Sequence, residues 1–240
     1  MAGNSYFRFK QFTIQQDQCA MKVCTDACAF GAWVHISDVK SILDIGTGTG
    51  LLALMAAQRN ELAHIDTVEI EPNAFSQAGQ NIADSPFADR IKLYHEDIRR
   101  FRPGYRYDAV ITNPPFFQAD LLSPDQEKNQ AHHAHSLAFD ELLTASDQLL
   151  ADDGSFHVLL PVAEAGIFIK KAERCGWKQV RGTTLYHQPG KKPFRQFMTF
   201  KRTATEDLQP AFSNLFIYEN DGKTYHPDFV SLLKMFYLKF

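Results

Sequence analysis

From residue 41 onward, short apolar runs alternate with longer stretches in which apolar residues recur every three or four positions. The short runs SILDIG (41–46), IDTVEI (65–70), IKLYHED (91–97), YDAVITN (107–113) and SFHVLLPV (155–162) predict strands. Helical spacing marks LLALMAAQRN (51–60), PNAFSQAGQNIAD (72–84), SLAFDELLTASDQLL (136–150) and AEAGIFIKKAERCG (163–176). Pro72 opens the second of these and a glycine ends the last. Strand and helix in alternation build βαβ units, and hence an α/β fold with a parallel sheet covered on both faces. WKQVRGTTLYH (177–187) and FRQFMTFKR (194–202) are two more strands, joined by a turn too short for a crossover helix. They are expected to pair antiparallel at one edge, which makes seven strands in all. Residues 1–38 are expected to hold a short strand and a helix, and the tail from Ala211 a hairpin around Asn220-Asp221-Gly222 followed by a helix.

A chain of 240 residues with 45% hydrophobic content suits a single domain over 1–240, with a core at 39–205, an N-terminal extension and a C-terminal piece at 206–240. The formal net charge of -3 provides no global basic field for nucleic acid, so any such contact must come from local patches. No apolar stretch approaches the roughly 18 residues of a membrane span, and MAGNSYFRFK has no secretory apolar region. A cytoplasmic protein without a membrane partner is expected. Cys19, Cys24, Cys28 and Cys175 lack paired metal-ligand spacing and read as buried free thiols.

The first strand runs into Asp44-Ile45-Gly46-Thr47-Gly48-Thr49-Gly50. Glycines permit a sharp turn and let a ligand touch bare backbone at a helix N-terminus. A dinucleotide fingerprint needs a glycine at position 51, which is Leu51. An acid two residues before the first glycine suits a ligand that carries cations, and S-adenosylmethionine carries an ammonium and a sulfonium. The cofactor set is therefore Asp44 with Gly46, Thr47, Gly48 and Gly50. Glu69, about twenty residues on at the next strand end, is placed to accept ribose hydroxyls. Glu71 is left to the helix start, and Asp97 takes an adenine amino group.

The fourth strand ends in Asn113-Pro114-Pro115-Phe116. The prolines fix φ and remove competing N–H donors. Asn113 Oδ1 and the Pro114 carbonyl then offer two acceptors to one NH2 group, while Phe116 offers a face for a stacked base. Holding both hydrogens of an exocyclic amine returns its delocalised lone pair to nitrogen, so no strong base is required.

DIGTGTG, VEIEP, HED and NPPF, in this order, resemble the class I S-adenosylmethionine-dependent amino-methyltransferases, which implies a Rossmann-like fold. The resemblance covers about residues 40 to 200. NPPF is shared by adenine-N6, guanine-N2 and protein-glutamine enzymes. FKQFTI (9–14), MKVCTD (21–26) and Gly31-Ala32-Trp33 narrow the resemblance to bacterial methyltransferases of adenine N6 beside the anticodon of a valine tRNA. It implies that Lys22 and Thr25 pack over the cofactor.

Lys191, Lys192 and Arg195, with interleaved Phe194 and Phe197, are the expected RNA contacts, and Arg99, Arg100, Arg102 and Arg106 form a second basic cluster. His132, His133 and His135 are read as part of a loop beside the acceptor pocket, with no metal. The expected enzyme is a monomer that methylates adenine N6 in tRNA. Open alternatives are guanine N2 in ribosomal RNA, a protein glutamine, and a non-catalytic nucleotide- or RNA-binding module.

Overall fold

The chain enters through an antiparallel hairpin, β1 (Tyr6–Arg8) and β2 (Thr13–Gln15), followed by α1 (Thr25–Trp33). The computed structural model describes residues 4–19, 21–115, 137–202 and 209–240. The expected alternation follows as β3 (Ser41–Ile45), α2 (Leu51–Arg59), β4 (His64–Glu69), α3 (Pro72–Ala83), β5 (Ile91–His95) and β6 (Tyr107–Thr112). It continues as α4 (Phe139–Leu149), β7 (Leu150–Pro161), α5 (Val162–Arg174), β8 (Lys178–Tyr186), β9 (Pro193–Lys201), β10 (Ala211–Phe216) and α6 (Pro227–Leu233).

The main sheet has the order β10-β8-β9-β7-β6-β3-β4-β5, and β9 runs against both of its neighbours while all other pairs are parallel. Successive residues of each strand point to opposite faces. Ile42, Ile65, Ala109 and Ile111 therefore join the layer that holds α1 and α2, and Leu43, Val68 and Val110 join the layer of α4 and α5.

Three expectations are corrected. The sheet has eight strands, and the β8–β9 hairpin is not its edge. β9 inserts between β7 and β8, and β10 adds parallel to β8 from Ala211↔Arg181 to Phe216↔Tyr186. β10 is anchored by buried Leu215, while Phe212 stays 64% exposed, so its apolar pattern is that of a half-covered edge. The N-terminal region has two short strands where one was expected. The tail follows expectation: Glu219 N–H donates to the Thr224 carbonyl across a turn with Gly222 at φ 66°, and α6 comes next.

The register places the functional edge. Ile45 pairs with both Val68 and Thr112, and Glu69 pairs with His95, so the carboxyl ends of β3, β4, β5 and β6 lie side by side. Asn81 on α3 fastens the N-terminal hairpin to this edge. It accepts from Gln15 N–H at 2.8 Å and donates to the carbonyls of Gln15 and Thr49, each at 2.9 Å.

Candidate active site

The turn after β3 has Gly46, Gly48 and Gly50 at φ 68°, 58° and 82°, a left-handed backbone that only glycine adopts without strain. Gly46 N–H donates to the Val68 carbonyl at 2.9 Å, and Gly48 N–H to Glu69 Oε2 at 2.8 Å. Glu69 Oε1 accepts from the N–H groups of Ile70 and Glu71 at 3.0 and 2.9 Å. One carboxylate therefore sets the shape of both the glycine turn and the end of β4. Glu71 caps α3 by accepting from Ala74 N–H at 2.6 Å.

Asp44 is fully buried beneath this turn. Its Oδ2 accepts from the Thr47 hydroxyl at 2.6 Å, and its Oδ1 has no hydrogen-bond partner among the described residues. Burial pushes its carboxyl up to about 7, opposed by the Thr47 hydrogen bond and reinforced by the charge of Glu69. Asp97 is gripped by Arg99, whose Nε lies 2.9 Å from both carboxylate oxygens, and this contact holds Asp97 below its ordinary value. Arg99 also reaches Glu141 on α4 at 3.2 Å.

Asn113 follows β6. Its Nδ2 faces Met21 Sδ at 4.0 Å, and its Oδ1 is buried without a partner among the described residues. Gly46, Gly48, Glu69, Asp97, Asn113, Pro114 and Pro115 all line one cavity of about 270 Å³, with Ile45, Val68, Ile98 and Leu137 among its apolar walls. A larger open groove, about 800 Å³, lies at the opposite edge of the sheet. There His157 is engaged by the hydroxyls of Ser155 and Thr199 at 3.1 and 2.9 Å, and no unpartnered buried side-chain atom is found among its described lining residues.

The family model described as the methyltransferase small domain matches residues 33–162. The whole chain is 57% identical to a relative from Dyadobacter fermentans, named tRNA1(Val) (adenine(37)-N6)-methyltransferase, with both chains covered completely. The chain belongs to this methyltransferase family. A relative of the same name from Aliivibrio fischeri is 41% identical over 97% of each chain. Among solved structures, Atu636 from Agrobacterium tumefaciens, described as a predicted O-methyltransferase, superposes with a TM-score of 0.69. The match covers 88% of this chain and 96% of that one at 17% identity, and it establishes the fold alone. The glycopeptide N-methyltransferase MtfA, solved with S-adenosylmethionine, gives 0.55 over 77% and 97% at 11% identity.

The methyltransferase family implies S-adenosylmethionine, and the site fits it. Gly46 and Gly48 present bare backbone to it, the buried acid below has one carboxylate oxygen without a partner among the described residues, and acids stand at successive strand ends beside apolar walls. Of the expected cofactor residues, Asp44, Thr47, Gly50, Lys22 and Thr25 are not among those lining the cavity, whereas Cys19 and Met21 are. For Lys22 the cause is a pinch in the loop, where Gln16 Oε1 accepts from Val23 N–H at 2.8 Å. Lys22 Nζ is turned toward the Asn4 carbonyl, 3.5 Å away. Cys19 is a neutral thiol in the cavity wall, raised to about 11 by burial and then by Glu69, Glu71 and Asp17.

Of the expected RNA contacts, Lys191 and Lys192 are exposed on the β8–β9 turn, whereas Arg195 Nε donates to Asp26 on α1 at 2.6 Å. Arg195 thus ties α1 to the sheet. Three of the four clustered arginines are likewise engaged with protein: Arg99 with Asp97, Arg102 with the Phe101 carbonyl and Arg106 with Asp152. Of the thiols, Cys28 is buried as expected, Cys19 and Cys24 are partly buried, and Cys175 is exposed, against expectation. Phe116 and the histidines at 132, 133 and 135 lie outside the described residues.

Proposed function

We propose that this chain transfers a methyl group from S-adenosylmethionine to N6 of an adenine in tRNA, adenine 37 of the valine tRNA named for its relatives. The observation that carries this reading is the unpartnered Oδ1 of Asn113, on a residue that lines the same cavity as Gly46 and Gly48. A buried acceptor without a donor is costly unless a ligand supplies one.

S-adenosylmethionine supplies a methyl group on a positively charged sulfur that is a good leaving group. Asn113 Oδ1 and the Pro114 carbonyl accept the two amine hydrogens and orient the nitrogen lone pair toward the cavity. Positioning and electrostatics then do most of the catalysis, and the proton of the methylated amine leaves to water. Asp44 Oδ1 takes the cofactor ammonium and Glu69 the ribose hydroxyls. Asp97 can receive an adenine amino group of the cofactor when Arg99 swings further onto Glu141, which it already touches.

Asp44 gives the cofactor site a pH dependence. A carboxyl raised from 3.8 to about 7 keeps its proton in the folded protein over that window, so its burial contributes stability at low pH that is lost as pH rises from about 4 to 7. A cationic ligand needs the ionised form. Affinity for S-adenosylmethionine is expected to rise about tenfold or more between pH 5.5 and 7.5, with proton release on binding near pH 6. Calorimetry in two buffers of different ionisation heat measures the released proton, and Asp44→Asn should remove both effects. A flat profile in the parent protein would clear Asp44 of this role.

The β8–β9 turn projects from the carboxyl edge that carries the cavity. At its root the rings of His187 and Phe194 stack at 4.1 Å and 5°. Its cations are placed to meet phosphates beside an adenine held at Asn113. Replacing Lys191 and Lys192 with alanine is expected to weaken tRNA binding and reduce the slope of log K against log salt by roughly 1–2. Arg195→Ala should instead lower Tm by roughly 5 °C, because it strands the nearly buried carboxylate of Asp26, and leave the salt slope unchanged.

The reaction itself is tested by incubating the protein with methyl-tritiated S-adenosylmethionine and bulk tRNA from cells lacking the modification. The expected product after digestion is N6-methyladenosine. Label in N2-methylguanosine, or only in protein, would move the substrate to another NH2-bearing acceptor. A tRNA substrate also supports a cytoplasmic location.

A further inference from the structure

An asparagine amide has chemically opposite ends. Only its oxygen can hold an amine hydrogen; turned by half a rotation it presents N–H donors and repels the same group. Something must set the orientation of Asn113, and the described residues show what faces it. Nδ2 points at Met21 Sδ at 4.0 Å, while Oδ1 meets no donor. A thioether sulfur accepts weakly and has no hydrogen to donate, so it favours Nδ2 and disfavours Oδ1 on its side.

Met21 is not a core residue. It is 45% exposed, yet it lines the cavity beside Asn113. The loop that bears it is held from both sides. The buried side chain of Gln16 accepts from Val23 N–H at 2.8 Å and donates to the Asn4 carbonyl at 3.0 Å. Gln18 N–H donates to Gln77 Oε1 of α3 at 3.0 Å. The N-terminal extension thereby delivers a sulfur to the one side of Asn113 where an acceptor keeps its amide in register.

The geometry points to Met21 as a positioning residue that holds the Asn113 amide with its oxygen free for the substrate amine. This inference rests on the methyl-transfer reading above. The test uses the full chain with Met21→Leu, which keeps bulk and removes the acceptor, and Met21→Gln, which restores an acceptor oxygen. Three quantities are read: kcat on tRNA, the Kd of S-adenosylmethionine, and the Asn113 side-chain 15N–1H2 resonances, assigned by their loss in Asn113→Ala.

Met21→Leu is expected to lower kcat about 5- to 10-fold, to leave Kd within about twofold, and to shift the Asn113 resonances. Met21→Gln should recover most of the lost rate. A Met21→Leu protein with parental kcat and unshifted resonances overturns the inference, as does a Met21→Gln protein as slow as Met21→Leu. A loss confined to cofactor Kd or tRNA KM overturns it too. If the parent protein methylates no tRNA, the methyl-transfer reading fails, while the resonance shift still decides whether Met21 holds the amide.

Discussion

Asn113→Ala is expected to reduce kcat by about 10²–10³-fold while S-adenosylmethionine binds within about twofold of the parent value. The asymmetry follows from where the side chain stands. Asn113 lies at the end of β6, on the acceptor side of a cavity whose cofactor side is built from the turn after β3 and the end of β4. Its Nδ2 makes one long contact to Met21, so truncation removes little from the folded state. Its Oδ1 has no partner to lose, and deleting it even relieves an unpaired buried acceptor. What disappears is the acceptor that orients the amine and favours its pyramidal form. The loss belongs in kcat rather than in cofactor affinity, because only the reacting state uses this contact fully. Stopped-flow single-turnover rates and calorimetry on the same preparation separate the two. A folded variant with near-parental rate would assign the work to other groups.

Glu69→Ala carries the second large effect, in the opposite quantity. Three backbone N–H groups end on this carboxylate, from Gly48, Ile70 and Glu71. Hydrogen bonds to a charged acceptor are worth about 1.5–3 kcal/mol each when a partner is deleted. Alanine leaves all three donors unsatisfied and frees the glycine turn from the end of β4. The Kd of S-adenosylmethionine should rise at least about 100-fold, which corresponds to about 2.7 kcal/mol. Glu69→Gln keeps one acceptor oxygen and should fall between the two. Calorimetric titration reads this directly, and a Glu69→Ala protein that binds the cofactor at parental strength would reduce Glu69 to a structural brace.

Most of the fold was legible because parallel strands and their crossover helices have different periods. Strands β3 to β9 follow the predicted segments to within a few residues, except that β7 begins early, at Leu150. β10 was missed because four of its six residues face solvent and its apolar signal is concentrated at Leu215, which resembles a polar tail. Asp44, Glu69 and Asn113 were readable as acids and an amide at strand ends next to glycines or prolines, and the strands do end there.

Partners supplied by distant elements were harder to read. The grip of Arg99 on Asp97 is local, two residues apart, but its reach to Glu141 spans 42 positions. The Arg195–Asp26 contact joins residues 169 positions apart. Strand alternation did carry a hint there, since Arg195 shares a face with Phe197, which is buried against α1. Cys19 and Met21 lie between β2 and α1 in a loop with no hydrophobic period. Their approach to the cavity is set by the side-chain bonds of Gln16 and Gln18, and side-chain pinches of this kind leave no regular pattern in the chain.

The most direct measurement is a crystal structure of the protein with S-adenosylhomocysteine and an anticodon stem-loop containing the target adenine. The adenine N6 is expected within about 3 Å of both Asn113 Oδ1 and the Pro114 carbonyl oxygen, facing the cofactor sulfur. An adenine whose N6 points away from those oxygens, or a base bound outside the cavity lined by Gly46 and Gly48, would contradict the assignment.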